Sequence, residues 1–327
     1  MFMFLSLSLG MKLNVLNAQG TVEIGIGSDT DTICGYLPVR TSYNYSVTQQ
    51  IYTADELAGL NGNYITSVSF YSIGQVVTRK LDVYLLNTNK SYFENNIMVK
   101  IETSPVFSGD VQIADNGWTT IAFDKPFSYT GGNIILCVYD HTESSPYASD
   151  RVFKVYDSVE EGKSRALYCF TDDDKGFSLS EIIYSNMASY NNKVKFTCSP
   201  SDKYIFTYQK SVDFDNVRLG NYWTEREPVS NNVDVKVKAV GTTIENISCN
   251  KDFFALSYNL NTNPFTLNVS YNQEQSEADE YTGTITIEAV GVEDIQIPVS
   301  VKFYEPVQGD VWEKAICVRS NENIFEH

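Results

Sequence analysis

A chain of 327 residues exceeds the size at which one hydrophobic core usually stops growing, so two domains are expected. A formal charge of −17 repels phosphate backbones and anionic lipid, which argues against nucleic-acid binding and electrostatic membrane adsorption. Two histidines, His141 and the terminal His327, are too few for a multi-histidine zinc site, a haem ligand set or an easily assembled His-based triad.

Residues 1–19 read as the remnant of a signal peptide. Phe2, Phe4, Leu5, Leu7 and Leu9 form an apolar stretch too short to span a bilayer, and Leu16-Asn17-Ala18 offers a small-residue cleavage context before Gln19. The basic segment that leads such a signal is missing ahead of Met1, which therefore reads as an internal methionine with the true start upstream. No other segment approaches transmembrane length. The mature chain is expected to carry no transmembrane segment and to be secreted or displayed on the outer cell surface.

From Thr21 onward the sequence alternates and turns like an all-β protein. Tyr64 to Tyr71, Leu81 to Leu86, Trp118 to Phe123, Ile134 to Tyr139 and Lys193 to Thr197 are rich in β-branched and aromatic residues and are separated by Asn, Gly, Asp and Pro. Trp118, opening an alternating strand, is expected in the core. One helical piece is predicted: Thr53-Ala54-Asp55-Glu56 has capping-box spacing and is followed by Leu57 and Leu60, with Gly59 and Gly62 limiting it to about two turns. A polar link at Ser199-Pro200-Ser201-Asp202 closes the first domain, 20–200. Beyond it, Val233 to Val240, Thr284 to Val290 and Ile295 to Phe303 alternate at the spacing of a small sandwich, 201–305. Glu305-Pro306-Val307-Gln308-Gly309 marks a second break, and 306–327 reads as a linker and the start of a truncated third module.

The six cysteines, Cys34, Cys137, Cys169, Cys198, Cys249 and Cys317, lack C-x-x-C spacing, so zinc ribbons and thioredoxin-like chemistry are not expected. Cys137 sits in the apolar run Ile134-Ile135-Leu136-Cys137-Val138 and reads as a small buried thiol. His141 follows Asp140, but four residues of strand put Cys137 about 13 Å away, beyond any Cys–His pair. His141 reads as a loop residue available for ligand contact. Asp29 and Asp31, together with Asp172, Asp173 and Asp174, are oxygen-rich clusters that could contribute to a structural Ca²⁺ site, although neither has the D-x-[DN]-x-[DN]-G loop. The aromatics Tyr43, Tyr45, Tyr92, Phe93 and Tyr147 fall in expected loops, where rings either stack on a sugar or protein ligand or pack beneath the loops. Carboxylate pairs for glycoside hydrolysis can be drawn at will from so many acids, and no P-loop, G-x-S-x-G or dinucleotide fingerprint is present in the needed context.

Ordered sequence through most of the first domain resembles a repeated module of secreted adhesin-like proteins from anaerobic Gram-negative bacteria, of the gingipain- and haemagglutinin-associated type. The matching residues are Val22-Glu23-Ile24-Gly25, Tyr36-Leu37-Pro38-Val39, Tyr43-Asn44-Tyr45-Ser46, Gln49 to Glu56, Ile65 to Tyr71, Leu81 to Leu85, Val106 to Gly109, Gly117 to Ile121 and Pro126 to Tyr129. That resemblance implies a jelly-roll β-sandwich and names no ligand. The second domain is similar to immunoglobulin-type modules of the abnormal-spindle-like (ASH) class, through Phe214 to Gly220 and Tyr281 to Ile287. Cys249 and the stretch from Glu274 to Asp294, which lacks Lys and Arg, depart from that pattern. The combined expectation is a non-catalytic adhesin-like binding protein in which jelly-roll loops meet a host glycan or protein and an Ig-like domain acts as spacer, alongside further domains of the same polypeptide. An accessory region of a larger secreted hydrolase and a structural stalk are the alternatives.

Overall fold

The computed structural model describes residues 20–25, 32–60, 64–143, 151–158, 163–218, 231–271 and 278–304. These fall into two compact units, Met1–Asp202 and Lys203–His327, and both are β-sandwiches.

In the first unit the strands are β1 (Gly20–Ile24), β2 (Ile33–Cys34), β3 (Tyr45–Tyr52), β4 (Tyr64–Ile73), β5 (Val77–Thr88), β6 (Phe107–Ile113), β7 (Gly117–Ser128), β8 (Asn133–His141), β9 (Val152–Asp157), β10 (Ala166–Thr171), β11 (Asn186–Ala188), β12 (Tyr190–Asn192) and β13 (Val194–Ser199). A seven-stranded sheet runs β1-β13-β4-β9-β12, with β7 also on β4 and β2 on β9. A six-stranded sheet runs β11-β10-β3-β8-β5-β6. Period-two alternation assigns the faces. Ile134, Leu136 and Val138 of β8 join Leu81, Val83 and Leu85 of β5 against Val68, Phe70, Ile121, Phe123 and Phe196 of the other sheet. The intervening Ile135 and Cys137 point the opposite way, into a second cluster with Val47, Ile51 and Leu167.

Phe93, Met98, Ile101 and Ile183 complete that second cluster. The segments after β5 and after β10 thus form a third layer over the six-stranded sheet. Its central strand β3 is consequently buried at every residue, polar ones included. Those polar groups are satisfied within the fold: Gln50 Nε2 donates to Asn192 Oδ1 at 2.8 Å, Asn192 N–H donates to Gln50 Oε1 at 2.7 Å, and Thr48 Oγ1 donates to the Pro38 carbonyl at 2.8 Å. At the far end of the core, Arg79 and Asp140 pair at 2.7 Å with neither side chain exposed. Burial pushes the Asp140 carboxyl above its ordinary pKa, and the Arg79 charge only partly offsets this.

The helix predicted after β3 is a correction. Both capping-box bonds form, Thr53 N–H donating to Glu56 Oε2 at 2.8 Å and Glu56 N–H to Thr53 Oγ1 at 3.5 Å. The chain then makes only turns and a 3-10 turn, Ala58–Leu60. Leu57 and Leu60 are fully buried, and a Cβ on Gly59 would lie 2.7 Å from Val22 Cγ2 of β1, so close packing against β1 fixes the segment before a helix can extend.

The second unit continues with β14 (Tyr204–Thr207), β15 (Val212–Arg218), β16 (Asn232–Val240), β17 (Ile244–Cys249), β18 (Phe254–Tyr258), β19 (Phe265–Tyr271), β20 (Glu280–Ala289) and β21 (Ile295–Tyr304). Two four-stranded sheets, β14-β16-β19-β18 and β15-β21-β20-β17, enclose a core that includes Val235, Val237, Leu267, Val269, Ile285, Ile287, Ile297 and Val299. Its one parallel pair among the described residues joins β15 to β21.

Candidate functional site

Where β3, β5 and β9 end and β10 begins, a cleft of about 580 Å³ is lined by Thr53, Ser91, Tyr92, Asp157, Ser158, Lys163 and Arg165. Two polar clamps hold its walls. Asn133, opening β8, donates through Nδ2 to the Lys90 carbonyl at 2.9 Å and accepts the Ala54 N–H through Oδ1 at 2.7 Å, tying the Ser91 loop to the turn after β3. Opposite, Arg165 makes a two-pronged pair with Glu56, Nη1 to Oε2 at 2.7 Å and Nη2 to Oε1 at 3.1 Å, while its Nε–H donates to the Ser158 carbonyl at 3.2 Å. Tyr156 adds a hydroxyl bond to Glu56 Oε1 at 2.8 Å. Burial alone would push the Glu56 carboxyl up, but the bonds from Arg165, Thr53 and Tyr156 and the Arg165 charge outweigh it and hold the group below its ordinary value.

Tyr92 supplies the cleft's aromatic surface. Its neighbour Phe93 bridges to Ser164, its N–H donating to the Ser164 carbonyl at 2.7 Å, and is 3% exposed in the third-layer core. With Phe93 turned inward, Tyr92 turns outward and stays 37% exposed, the Lys163 ammonium 5.0 Å from its ring centroid. The rest of the described lining is hydroxyl and charged groups; among the described residues Asp157 is its one carboxylate, and neither His nor Cys contributes. Such a lining offers a ring face, hydroxyls and a guanidinium held rigidly by its carboxylate partner. A pair of carboxylates, or a nucleophile beside a base, is not assembled from these residues.

Among the described residues, the predicted aromatics Tyr43, Tyr45, Tyr92 and Phe93 do not form one platform. Tyr45 lies at the opposite end of β3 from the cleft, 7% exposed, its hydroxyl donating to the Asp174 carbonyl at 3.2 Å. Tyr43 is half-buried with its ring 4.3 Å from Phe170 and the Arg40 guanidinium over both rings. Phe93 is a core residue, so Tyr45 and Phe93 are corrected from ligand contacts to packing under loops. Tyr147, Asp29 and Asp31 lie outside the described residues. His141 ends β8 rather than standing in a loop, stacked on Tyr139 at 5.2 Å with Nε2 3.3 Å from Asp82 Oδ1 but misaligned for a hydrogen bond. Asp172 accepts the Asn44 N–H at 2.9 Å and Asp173 the Lys175 N–H at 3.0 Å, so these carboxylates are engaged in shaping their loop. Among the described residues no group of three or more potential metal ligands comes together.

Cys137 is fully buried and free, as are the thiols of Cys34 and Cys198, while Cys169 and Cys249 are half-buried and free. Trp118 is a further correction: it is half-buried on the outer face of the seven-stranded sheet, 5.5 Å from Tyr71. The signal was present in the strand, because Ile121 and Phe123 claim the odd-numbered, inward phase and leave Trp118 and Thr120 on the other. Lys163, Arg165, Asp157 and Ser158 carried no local signal. Glu56 was legible only as a cap.

No protein-family model matches the chain, and no curated protein does. Solved structures similar to it include the cysteine protease and lectin-like domains of Cwp84, a surface-layer-associated protein of Clostridium difficile, at 12% identity and a TM-score of 0.30 over 48% of this chain. A second is the clostridial cysteine protease Cwp84 after propeptide cleavage, at 11% identity and a TM-score of 0.31 over 48% of this chain. The chain spans 33% and 36% of the lengths of those two solved chains.

Proposed function

We propose that the chain is a non-catalytic binding protein, secreted or displayed on the cell surface, whose first sandwich holds a sugar ring of a glycan in the Tyr92 cleft and whose second sandwich is a spacer. The observation that carries this reading is the half-exposed Tyr92 ring beside hydroxyls, Asp157 and a guanidinium already fixed by Glu56. An amphipathic ring gives a sugar's C–H face a surface to stack on, and preset polar groups select among its hydroxyls at little ordering cost.

A glycan array probed with the full chain is expected to yield binders whose affinity falls about 30-fold in Tyr92→Ala, the cost of truncating a central aromatic anchor. Circular dichroism and a thermal melt establish that the variant is folded. An array without binders, or affinities indifferent to Tyr92→Ala, would overturn the proposal.

A further inference from the structure

The outer face of the seven-stranded sheet carries a second set of chemistry, remote in kind from the cleft. Register places it: Tyr71 pairs with Trp118 across β4 and β7, Ser69 with both Thr120 and Lys195, and Lys195 with Glu23 of β1. Alternation then puts Glu23, Lys195, Ser69, Tyr71, Thr120 and Trp118 on one face. The Tyr71 and Trp118 rings meet edge to face, 5.5 Å apart at 87°. Lys195 Nζ lies 4.1 Å from the Trp118 centroid and Lys154 Nζ, from β9, lies 4.7 Å from that of Tyr71. Ser69 and Thr120 hydroxyls bond at 2.9 Å between them, and the Tyr71 hydroxyl donates to the Asn116 carbonyl at 3.3 Å, so the rings stand on a fixed floor.

We infer that this face binds an acidic polysaccharide, its uronate carboxylates drawn to Lys154 and Lys195 and its sugar rings stacked on Trp118 and Tyr71. Charge decides the class of ligand. The net charge of −17 opposes a polyanion at long range, but on this face both rings are covered by cations, Lys195 also meeting Glu23 at 3.1 Å, so the attraction is local. A neutral sugar reaching the indole must displace an ammonium from the ring and returns nothing for it. A uronate gives the displaced ammonium a carboxylate as its ring takes the vacated aromatic face, so the exchange favours the acidic chain. The row of Tyr71, Trp118 and the two lysines across neighbouring strands suits a run of several sugars, whereas the cleft suits one. The two surfaces share no residue, and each proposal can fail without the other.

The test titrates the full chain with hexasaccharides of hyaluronan and of polygalacturonate, and with neutral N-acetylchitohexaose, following tryptophan fluorescence and calorimetric heat. At least one uronate hexamer is expected to bind, to change the Trp118 emission, and to weaken progressively as salt is raised. Trp118→Ala is expected to reduce affinity about 30-fold. The milder Lys154→Gln/Lys195→Gln pair, which leaves the rings in place, is expected to remove most of the salt dependence, and Tyr92→Ala to change nothing. Equal binding of the neutral hexamer, no binding of either uronate hexamer, unaltered affinity in the lysine pair, or loss of binding in Tyr92→Ala would each overturn the inference.

Discussion

Replacing Glu56 with Gln keeps the shape of the side chain and removes the charge that holds one wall of the cleft. The carboxylate accepts from Thr53 N, Thr53 Oγ1, Tyr156 Oη and both terminal nitrogens of Arg165, at distances of 2.7 to 3.1 Å. The amide retains one acceptor and turns an NH₂ toward either Arg165 or Thr53, where a donor meets a donor. Breaking one half of a fully buried pair costs about 3–5 kcal/mol. Side-chain exposures of 16% for Arg165 and 22% for Glu56 leave some hydration, which lowers the expectation to about 2–3 kcal/mol. For a unit of this size that is a fall of about 5–10 °C in Tm.

Linkage supplies a sharper test of the same residue. The folded-state pKa of Glu56 lies below the ordinary 4.5, so the native state binds this proton more weakly than the unfolded chain does. Its contribution is therefore complete above the unfolded value and is lost as pH falls through the depressed folded one. Urea denaturation from neutral pH down to about pH 3 should show wild type and Glu56→Gln converging as the solution becomes acidic. A stability gap that stays constant with pH, or one below about 1 kcal/mol at neutrality, refutes the assignment of the Glu56–Arg165 pair as the clamp.

Two further outcomes follow from buried groups outside the cleft. Asp140→Ala takes the carboxylate from the Arg79 guanidinium, whose side chain is 0% exposed and keeps only its carbonyl bonds to Thr41 and Tyr43 among the bonds described, and should cost about 3–5 kcal/mol, whereas Arg79→Met/Asp140→Leu should cost less than that single change; a double-mutant cycle by chemical denaturation without such coupling removes the argument. Burial pushes the Cys137 thiol up to about 12, so its labelling by a thiol reagent should proceed only at the rate of global unfolding, and rapid modification of the native protein, located by peptide mass analysis, contradicts the buried assignment.

Strands were legible because they are local. Tyr64 to Tyr71, Leu81 to Leu86, Trp118 to Phe123, Ile134 to Tyr139 and Val233 to Val240 each fall inside an observed strand, their β-branched and aromatic content matching a pleated, half-buried surface. The misread helix shows the limit of that locality: both capping bonds form as the spacing predicts, yet Glu56 is claimed by an arginine 109 positions away. The cleft was opaque for the same reason. Nothing in the sequence near Tyr92-Phe93 says which ring turns inward, since the choice is made by pairing with Ser164, and the Asp172 to Asp174 run looks equally suited to a cation and to the loop bonds it makes.

Where a ligand can meet the first unit is itself a consequence of layering. The apolar run Ile134-Ile135-Leu136-Cys137-Val138 fills both phases of β8, and a strand apolar on both phases must be covered on both faces. The core takes one face and the Phe93, Met98, Ile101 and Ile183 layer takes the other, which removes the centre of the six-stranded sheet from solvent. In β7 the inward phase is Ile121 and Phe123, and the other carries Trp118, Thr120 and the buried Ala122, which leaves Trp118 half-buried on the outer face of the partner sheet. The third layer also leaves its mark at the strand ends: bridging Phe93 to Ser164 pins the Tyr92 loop beside Lys163 and Arg165, and that junction is the cleft. Substituting Phe93 would therefore disturb the binding surface through the core beneath it, while substituting Tyr92 removes contact area alone, and the difference between those two variants in melting temperature separates packing from recognition at adjacent positions.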